Sequence, residues 1–207
     1  MNLVQQHFVS SQSNDVNFDI TANWATGDLN YPVVDQASFI YFLGNRSYED
    51  VNNLTNIIVT NFSLTGNVLK CNLFADGTTL DLSSIEITNF KKVGKLNGLH
   101  ALFLGANQII TFNPTIALPN SLKYLELGGN QIITFNPTIA LPNSLLYLKL
   151  NNNKFTNVGY SASEPWANAM IVILNRGTIY FQDNTNTINA TNLKSILISK
   201  GWTILSN

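Results

Sequence analysis

Few side chains in this 207-residue chain could carry out covalent chemistry. A nucleophilic triad needs a Ser or Cys beside a His base, and the candidates for that base are His7, near the N-terminus, and His100, beside Leu99 on an expected strand. Neither belongs to a nucleophile elbow. Cys71 stands where a side chain is expected to face the core, which describes an inert thiol rather than a reactive one. Asp81 with Glu86, or Asp81 with Glu126 in a neighbouring repeat, could supply the two carboxylates of a glycosidase. An open strand face lacks the cleft that would raise one of their pKa values, so both are expected on a solvated surface. The segment DGTTLD at 76–81 hints at calcium but lacks the alternating oxygen ligands of an EF-hand loop. One Cys and two His make no soft-metal set. The expectation is therefore no catalytic residue, no metal and no cofactor.

The composition points to a packed, nearly neutral domain. Hydrophobic residues make up 45% of the chain, charged residues 11%, and the formal net charge is -1. That is enough apolar material for a core, and there is no basic run to suit nucleic acid or an anionic membrane. Asparagine, at 31 residues, takes the place of the missing charge. The opening MNLVQQHFVSSQSND has neither the basic n-region nor the apolar core of a signal peptide, and no run of about eighteen apolar residues offers a membrane span. Export by that route is not expected. The four Asn-x-Ser/Thr sequons are what an Asn- and Thr-rich chain produces by chance.

The elements that position these residues are announced by a repeat. Residues 107–122 and 130–145 both read NQIITFNPTIALPNSL, identical at all sixteen positions and offset by 23. A fixed period in this range marks a solenoid, in which each unit is too small to bury its own apolar face and stacks on its neighbours. Around Asn107 stand Leu99, Leu102, Leu104 and Ile109; around Asn130 stand Leu122, Leu125, Leu127 and Ile132; around Asn153 stand Leu145, Leu148, Leu150 and Phe155. This LxxLxLxxNxL spacing resembles the leucine-rich repeat family. The resemblance implies an α/β solenoid of about 23-residue repeats, with a parallel β-sheet on the concave face.

The spacing also makes sense without a family name. In x-Leu-x-Leu-x the side chains alternate, so Leu102 and Leu104 point inward while Ala101, Phe103 and Gly105 point outward. An Asn amide, which both donates and accepts, suits the buried turn that follows. The expected ladder is Asn67, Asn107, Asn130, Asn153 and Asn184. Phe112 and Phe135 should face inward in the return segments, where Asn113-Pro114 and Asn136-Pro137 break any helix. Weaker repeats are read at 59–69 (Val59, Phe62, Leu64, Leu69), at 80–87, where Ile85 replaces the Asn, and at 179–184. The last stands 31 residues after Asn153, and its insertion SEPWANAM suggests a short helical turn on the outer side.

Four segments follow: an arm at 1–33, for docking, oligomerisation or flexible; an N-terminal cap at 34–58; a solenoid of about six repeats at 59–189; and a C-terminal cap at 190–207. The first cap holds an amphipathic helix with Asp35 as N-cap and Gly44 as stop. The second holds a helix over 191–200, stopped by Gly201, then a strand around 202–205. The stretch VNFDITANW in the arm is strand-like but fits neither repeat nor cap.

Function falls to the outward positions: Asn61, Ser63, Thr65; Thr79, Asp81, Ser83; Ala101, Phe103, Gly105; Tyr124, Glu126, Gly128; Tyr147, Lys149, Asn151; Thr178, Tyr180, Gln182. Phe103, Tyr124, Tyr147 and Tyr180, flanked by glycines, should make a rigid platform for a sugar or a protein loop, with Glu126 and Lys149 orienting it. The LPNSL–YLxL–xxN–x–I style, the PWANAM insert and the closing LISKGWTI resemble leucine-rich proteins of flavobacteria and related Bacteroidota, particularly those of their tailed phages, over about 34–207. That resemblance implies a non-catalytic virion surface or fibre protein that contacts a host-surface protein or glycan. Its arm would join other virion proteins or assemble a homo-oligomer such as a trimer. The alternative is a cytoplasmic scaffold that binds one protein partner.

Overall fold

The computed structural model describes residues 15–23, 35–45, 55–65, 68–76, 78–84, 87–92, 99–114, 117–189 and 191–207. The chain runs β1 (Asp15–Asn23), α1 (Gln36–Asn45), β2 (Thr55–Thr65), β3 (Val68–Asp76), β4 (Thr79–Asp81), β5 (Ile87–Lys92), β6 (Ala101–Phe103), β7 (Tyr124–Glu126) and β8 (Tyr147–Lys149). It continues through α2 (Asn157–Ala162), α3 (Glu164–Ala169), β9 (Gly177–Tyr180) and α4 (Asn192–Ser199) to β10 (Trp202–Leu205). Two sheets result: a four-stranded one ordered β2-β3-β1-β5 and a six-stranded one ordered β10-β9-β8-β7-β6-β4.

Every pair in the six-stranded sheet is parallel, and the leucines set its register. Leu80, Leu102, Leu125, Leu148, Ile179 and Ile204 lie opposite one another in turn. A one-residue slip would turn each of these apolar side chains out of the core, so alternation alone fixes the pairing. Leu80, Leu102, Leu125, Leu148 and Ile179 are buried, as are Leu82, Leu104, Leu127, Leu150 and Phe181 two residues on. Phe112 and Phe135 stack in the return segments with centroids 6.1 Å apart. Among the described residues from 107 to 122 there is no helix, as expected beside an Asn-Pro pair.

The asparagines close each turn backward. Asn130 Oδ1 accepts from Ile109 N in the preceding repeat, while its Nδ2 donates to Leu104 O of that repeat and Leu127 O of its own. Asn107 and Asn153 do the same for Ile87 and Ile132. Asn184, across the longer interval, accepts from Asn153 N and donates to Leu150 O and Phe181 O. Because each amide serves the unit before it, the first strand of the sheet has no earlier unit to serve. Its lack of an Asn follows directly. Position 85 itself, like Asn67 and Glu86, lies outside the described residues.

At the other end of each strand Ser121 Oγ donates to Leu99 O and Ser144 Oγ to Leu122 O. Thr138 bonds Asn113 Oδ1 across the two sixteen-residue copies. The eight residues by which the interval from Asn153 to Asn184 exceeds 23 come with two helices, α2 and α3, rather than one helical turn. Gly159 in α2 is obligatory, because a Cβ there would lie 1.9 Å from Ile133 O.

The N-terminal half departs from the expected organisation. Thr55–Thr65 is not a repeat of the parallel sheet: it pairs antiparallel with β3, ending at Thr65↔Val68. Gly66-Asn67 between two alternating runs is a hairpin signal that the apolar spacing of Val59, Phe62 and Leu64 obscured. Nor are residues 1–33 simply a separate arm, since Asp15–Asn23 is an inner strand that pairs with both β3 and β5. Six strands do make the parallel sheet, but β10, expected as part of a cap, is the sixth. Phe39, Val59 and Cys71 belong to the same buried cluster as the leucines. Asp35 caps α1 reciprocally with Ser38, accepting from Ser38 N while Ser38 Oγ accepts from Asp35 N. The helix runs one residue past Gly44 to Asn45. α4 ends at Ser199 with Lys200 as its C-cap, and the next residue, Gly201, has a φ of 94° that needs glycine.

Two outcomes follow. Leu104 and Leu127 carbonyls each keep a second amide when Asn130 is lost, from Asn107 and Asn153 respectively. Asn130→Ala therefore strands mainly the buried Ile109 N–H and should cost about 3 kcal/mol in urea unfolding. A loss below about 1 kcal/mol would show that the amide is dispensable. The second concerns Tyr160, buried between Phe155 and Phe181, whose hydroxyl donates to Asn186 O. Burial pushes its pKa up to about 12 from 10.0. The unfolded phenol ionises first, so this contribution is complete below pH 10 and is lost as pH rises toward 12. Stability should fall by roughly 2 to 3 kcal/mol across that window, and Tyr160→Phe should flatten the fall.

Candidate functional site

The strand face is ordered in columns by the parallel register. Thr79, Ala101, Tyr124, Tyr147 and Thr178 form one column, and Asp81, Phe103, Glu126, Lys149 and Tyr180 form the next. Tyr124 and Tyr147 stack with centroids 4.7 Å apart and planes 6° from parallel. That separation is the strand spacing itself, so the sheet rather than a bound group holds the rings together. Tyr124 remains 43% exposed.

In the second column Lys149 Nζ lies 2.7 Å from Glu126 Oε2, with Phe103 and Tyr180 at the two ends of the pair. Glu126 Oε1 accepts from Gly128 N at 3.1 Å, so the carboxylate lies down over the small residues beside it. A Cβ at Gly105 would come 3.1 Å from Glu126 Cγ, and one at Gly128 would come 2.7 Å from Oε1 and 2.8 Å from Asn151 Oδ1. Gly105 and Gly128 are consequently buried, not open parts of a platform as the sequence suggested. Glu126 and Lys149 are spent on one another and on the backbone before any ligand arrives.

All six expected face residues meet in one cavity of about 280 Å³, floored by Leu125 and walled on one side by the tyrosine pair and on the other by Phe103, Glu126, Lys149 and Tyr180. The cavity runs across the strands. A second, of about 300 Å³, shares Phe103, Glu126 and Lys149 and continues past the strand ends over Ser83, Ser84, Gly128, Asn151 and Asn152. The Glu126–Lys149 pair is a low saddle between them.

The second cavity depends on a feature the sequence reading missed. Ala106, Gly129, Asn152 and Asp183, each just before a ladder Asn among the described residues, have positive φ, as does Ser84 at the equivalent place before Ile85, all between 51° and 68°. This left-handed conformation favours Gly, Asn and Asp, and a look at which types recur at that one place could have found it.

The carboxylates do not behave as expected. Asp81 is fully buried and accepts from Ser83 N and Ser83 Oγ, so it is a turn brace rather than a solvated partner for Glu126. Glu86 lies outside the described residues, as do His7 and Gly77 of the DGTTLD segment. His100 is exposed, and its carbonyl accepts from Lys123 N and Tyr124 N. Cys71 is buried in β3. Among the described residues no group of three or more His, Cys, Asp or Glu could hold a metal ion, and no helix is long and apolar enough to cross a membrane.

No protein-family model, curated protein or solved structure matches this chain.

The saddle yields a direct check. In Gly128→Ala the new methyl must displace Glu126 and Asn151, both at the far ends of flexible side chains. The protein should still fold, losing about 1 kcal/mol from the bond to Gly128 N and a pair that is partly solvated, read as a small fall in Tm. A loss several times larger would mean that the side chains cannot yield.

Proposed function

We propose that this chain is a non-catalytic leucine-rich repeat binding module whose concave strand face holds an extended ligand. The solenoid reading is supported by the LxxLxLxxNxL spacing together with the parallel register and the amide ladder. One observation carries the binding reading: the stacked Tyr124–Tyr147 pair faces Phe103 and Tyr180 across a trough already formed by the backbone. Preformed aromatic walls bind with little loss of side-chain freedom. The setting we infer is the virion surface or a fibre of a phage of flavobacteria or related Bacteroidota, with a protein or glycan of the host surface as ligand. That setting rests on the likeness of the return segments, the PWANAM insert and the closing LISKGWTI.

Area sets the affinity. Six strands at about 4.8 Å give a face about 24 Å long and, at three residues per strand, about 10 Å wide, far short of the roughly 800 Å² per partner of a standard interface. One copy should bind weakly, and several copies on one particle should bind strongly through avidity. The test compares monomeric and multivalent protein on host cells, with and without Tyr124→Ala and Tyr147→Ala together. The double variant should keep its melting behaviour and lose at least about tenfold in binding, as expected for central aromatic anchors. Unchanged attachment would move the site to the outer loops, beginning with 161–170.

A further inference from the structure

The two cavities on the strand face differ in chemistry and share one wall. The first presents tyrosine and phenylalanine edges; the second presents the uncharged polar groups of Ser84, Asn151 and Asn152. Between them Glu126 lies flat, and both of its oxygens are engaged, by Gly128 N and by Lys149 Nζ. Asp81 is buried and hydrogen-bonded to Ser83. Glu126 and Lys149 thus neutralise each other, and Asp81 is withdrawn from the surface. Nothing here favours a polyanion or a basic peptide over an uncharged ligand.

The floor is equally selective. Strand backbone groups are consumed by the sheet, Leu104 N bonding Glu126 O and Leu127 N bonding Lys149 O. A peptide laid across the strands would bury main-chain N–H and C=O groups with only side chains to meet them, which is costly. A pyranose has no such obligation. Its apolar C–H patches pack against aromatic ring faces and its hydroxyls both donate and accept, directly or through water, toward tyrosine, serine and asparagine. The aromatic trough spans four strands, Phe103 to Tyr180, about 14 Å at the strand spacing, and lies about 7 Å wide between columns two residues apart.

We infer that the strand face recognises a neutral oligosaccharide, with sugar rings along the Tyr124–Tyr147 trough and hydroxyls reaching over the Glu126 saddle to Ser84, Asn151 and Asn152. This rests on the strand face being the binding surface, and it adds the ligand class and a second, polar subsite.

The full chain is titrated with glucose-, mannose- and N-acetylglucosamine-based oligosaccharides from one to six units, and with sialylated and sulfated counterparts. At least one neutral series should bind, with affinity rising to the trisaccharide and then levelling as the trough fills. Asn151→Ala and Tyr147→Ala should each weaken that binding about tenfold, the first by removing a polar partner without touching the Asn151 carbonyl that Gly129 N uses. Tightest binding to acidic glycans, or neutral binding indifferent to both variants, overturns the inference. So does failure of every neutral series while the Tyr124/Tyr147 double variant still abolishes attachment to host cells, a result that would keep the face as the site and make its ligand a protein. If that double variant attaches normally, the strand-face reading itself is wrong.

Discussion

One side-chain amide per repeat makes the sheet possible. A strand of three residues followed by a tight turn leaves buried carbonyls and an N–H that no neighbouring strand can reach, and each unpaired group would cost about 1 to 3 kcal/mol, comparable to what burying a leucine returns. Asn107, Asn130 and Asn153 resolve this by accepting from the preceding repeat and donating to both. Serine at 121 and 144 does a smaller version of the same work at the opposite end. With the core backbone satisfied from within, the outward residues carry little of that work, Asp81 and Glu126 excepted. That is why a stacked tyrosine pair and a self-contained ion pair can sit side by side on the face.

The parallel half of the molecule was legible because its determinants are local. Leucine spacing fixed the register, and counting alternate residues placed Phe103, Tyr124, Glu126, Tyr147, Lys149 and Tyr180 on one surface. The antiparallel half was not legible in the same way. The alternation in VTNFSLT is shared by a stacked repeat and by a hairpin, and only distant pairing separates them: Phe18 lies between Leu73 and Lys92 in the sheet. A period of two gives the faces of a strand and says nothing of its neighbours. Glycines misled for a related reason. Gly105 and Gly128 looked like openings, but they are small because Glu126 needs the room.

The same contrast explains the polar cavity. Its lining comes partly from left-handed turn residues, whose recurrence appears only when equivalent positions are compared across repeats: Ser84, Ala106, Gly129, Asn152, Asp183. Ala106 carries a small conformational cost there that glycine would not, of about 1 kcal/mol. Buried Asp81 likewise reads as an outward acid by counting, yet the turn recruits it as an acceptor for Ser83.

The backward direction of the amide ladder has a genetic consequence. Since each Asn completes the unit before it, a 23-residue copy gained beside the two sixteen-residue duplicates brings with it the amide that the preceding unit uses. The duplicated NQIITFNPTIALPNSL reads as a trace of one such event, and Asn113 of one copy already bonds Thr138 of the next. Unequal crossing-over or replication slippage would lengthen or shorten the trough in increments of one strand, about 4.8 Å, while leaving fold and chemistry unchanged. Length of the strand face is thus a heritable quantity separable from the identity of the residues on it, open to change by copy number before any point mutation is needed.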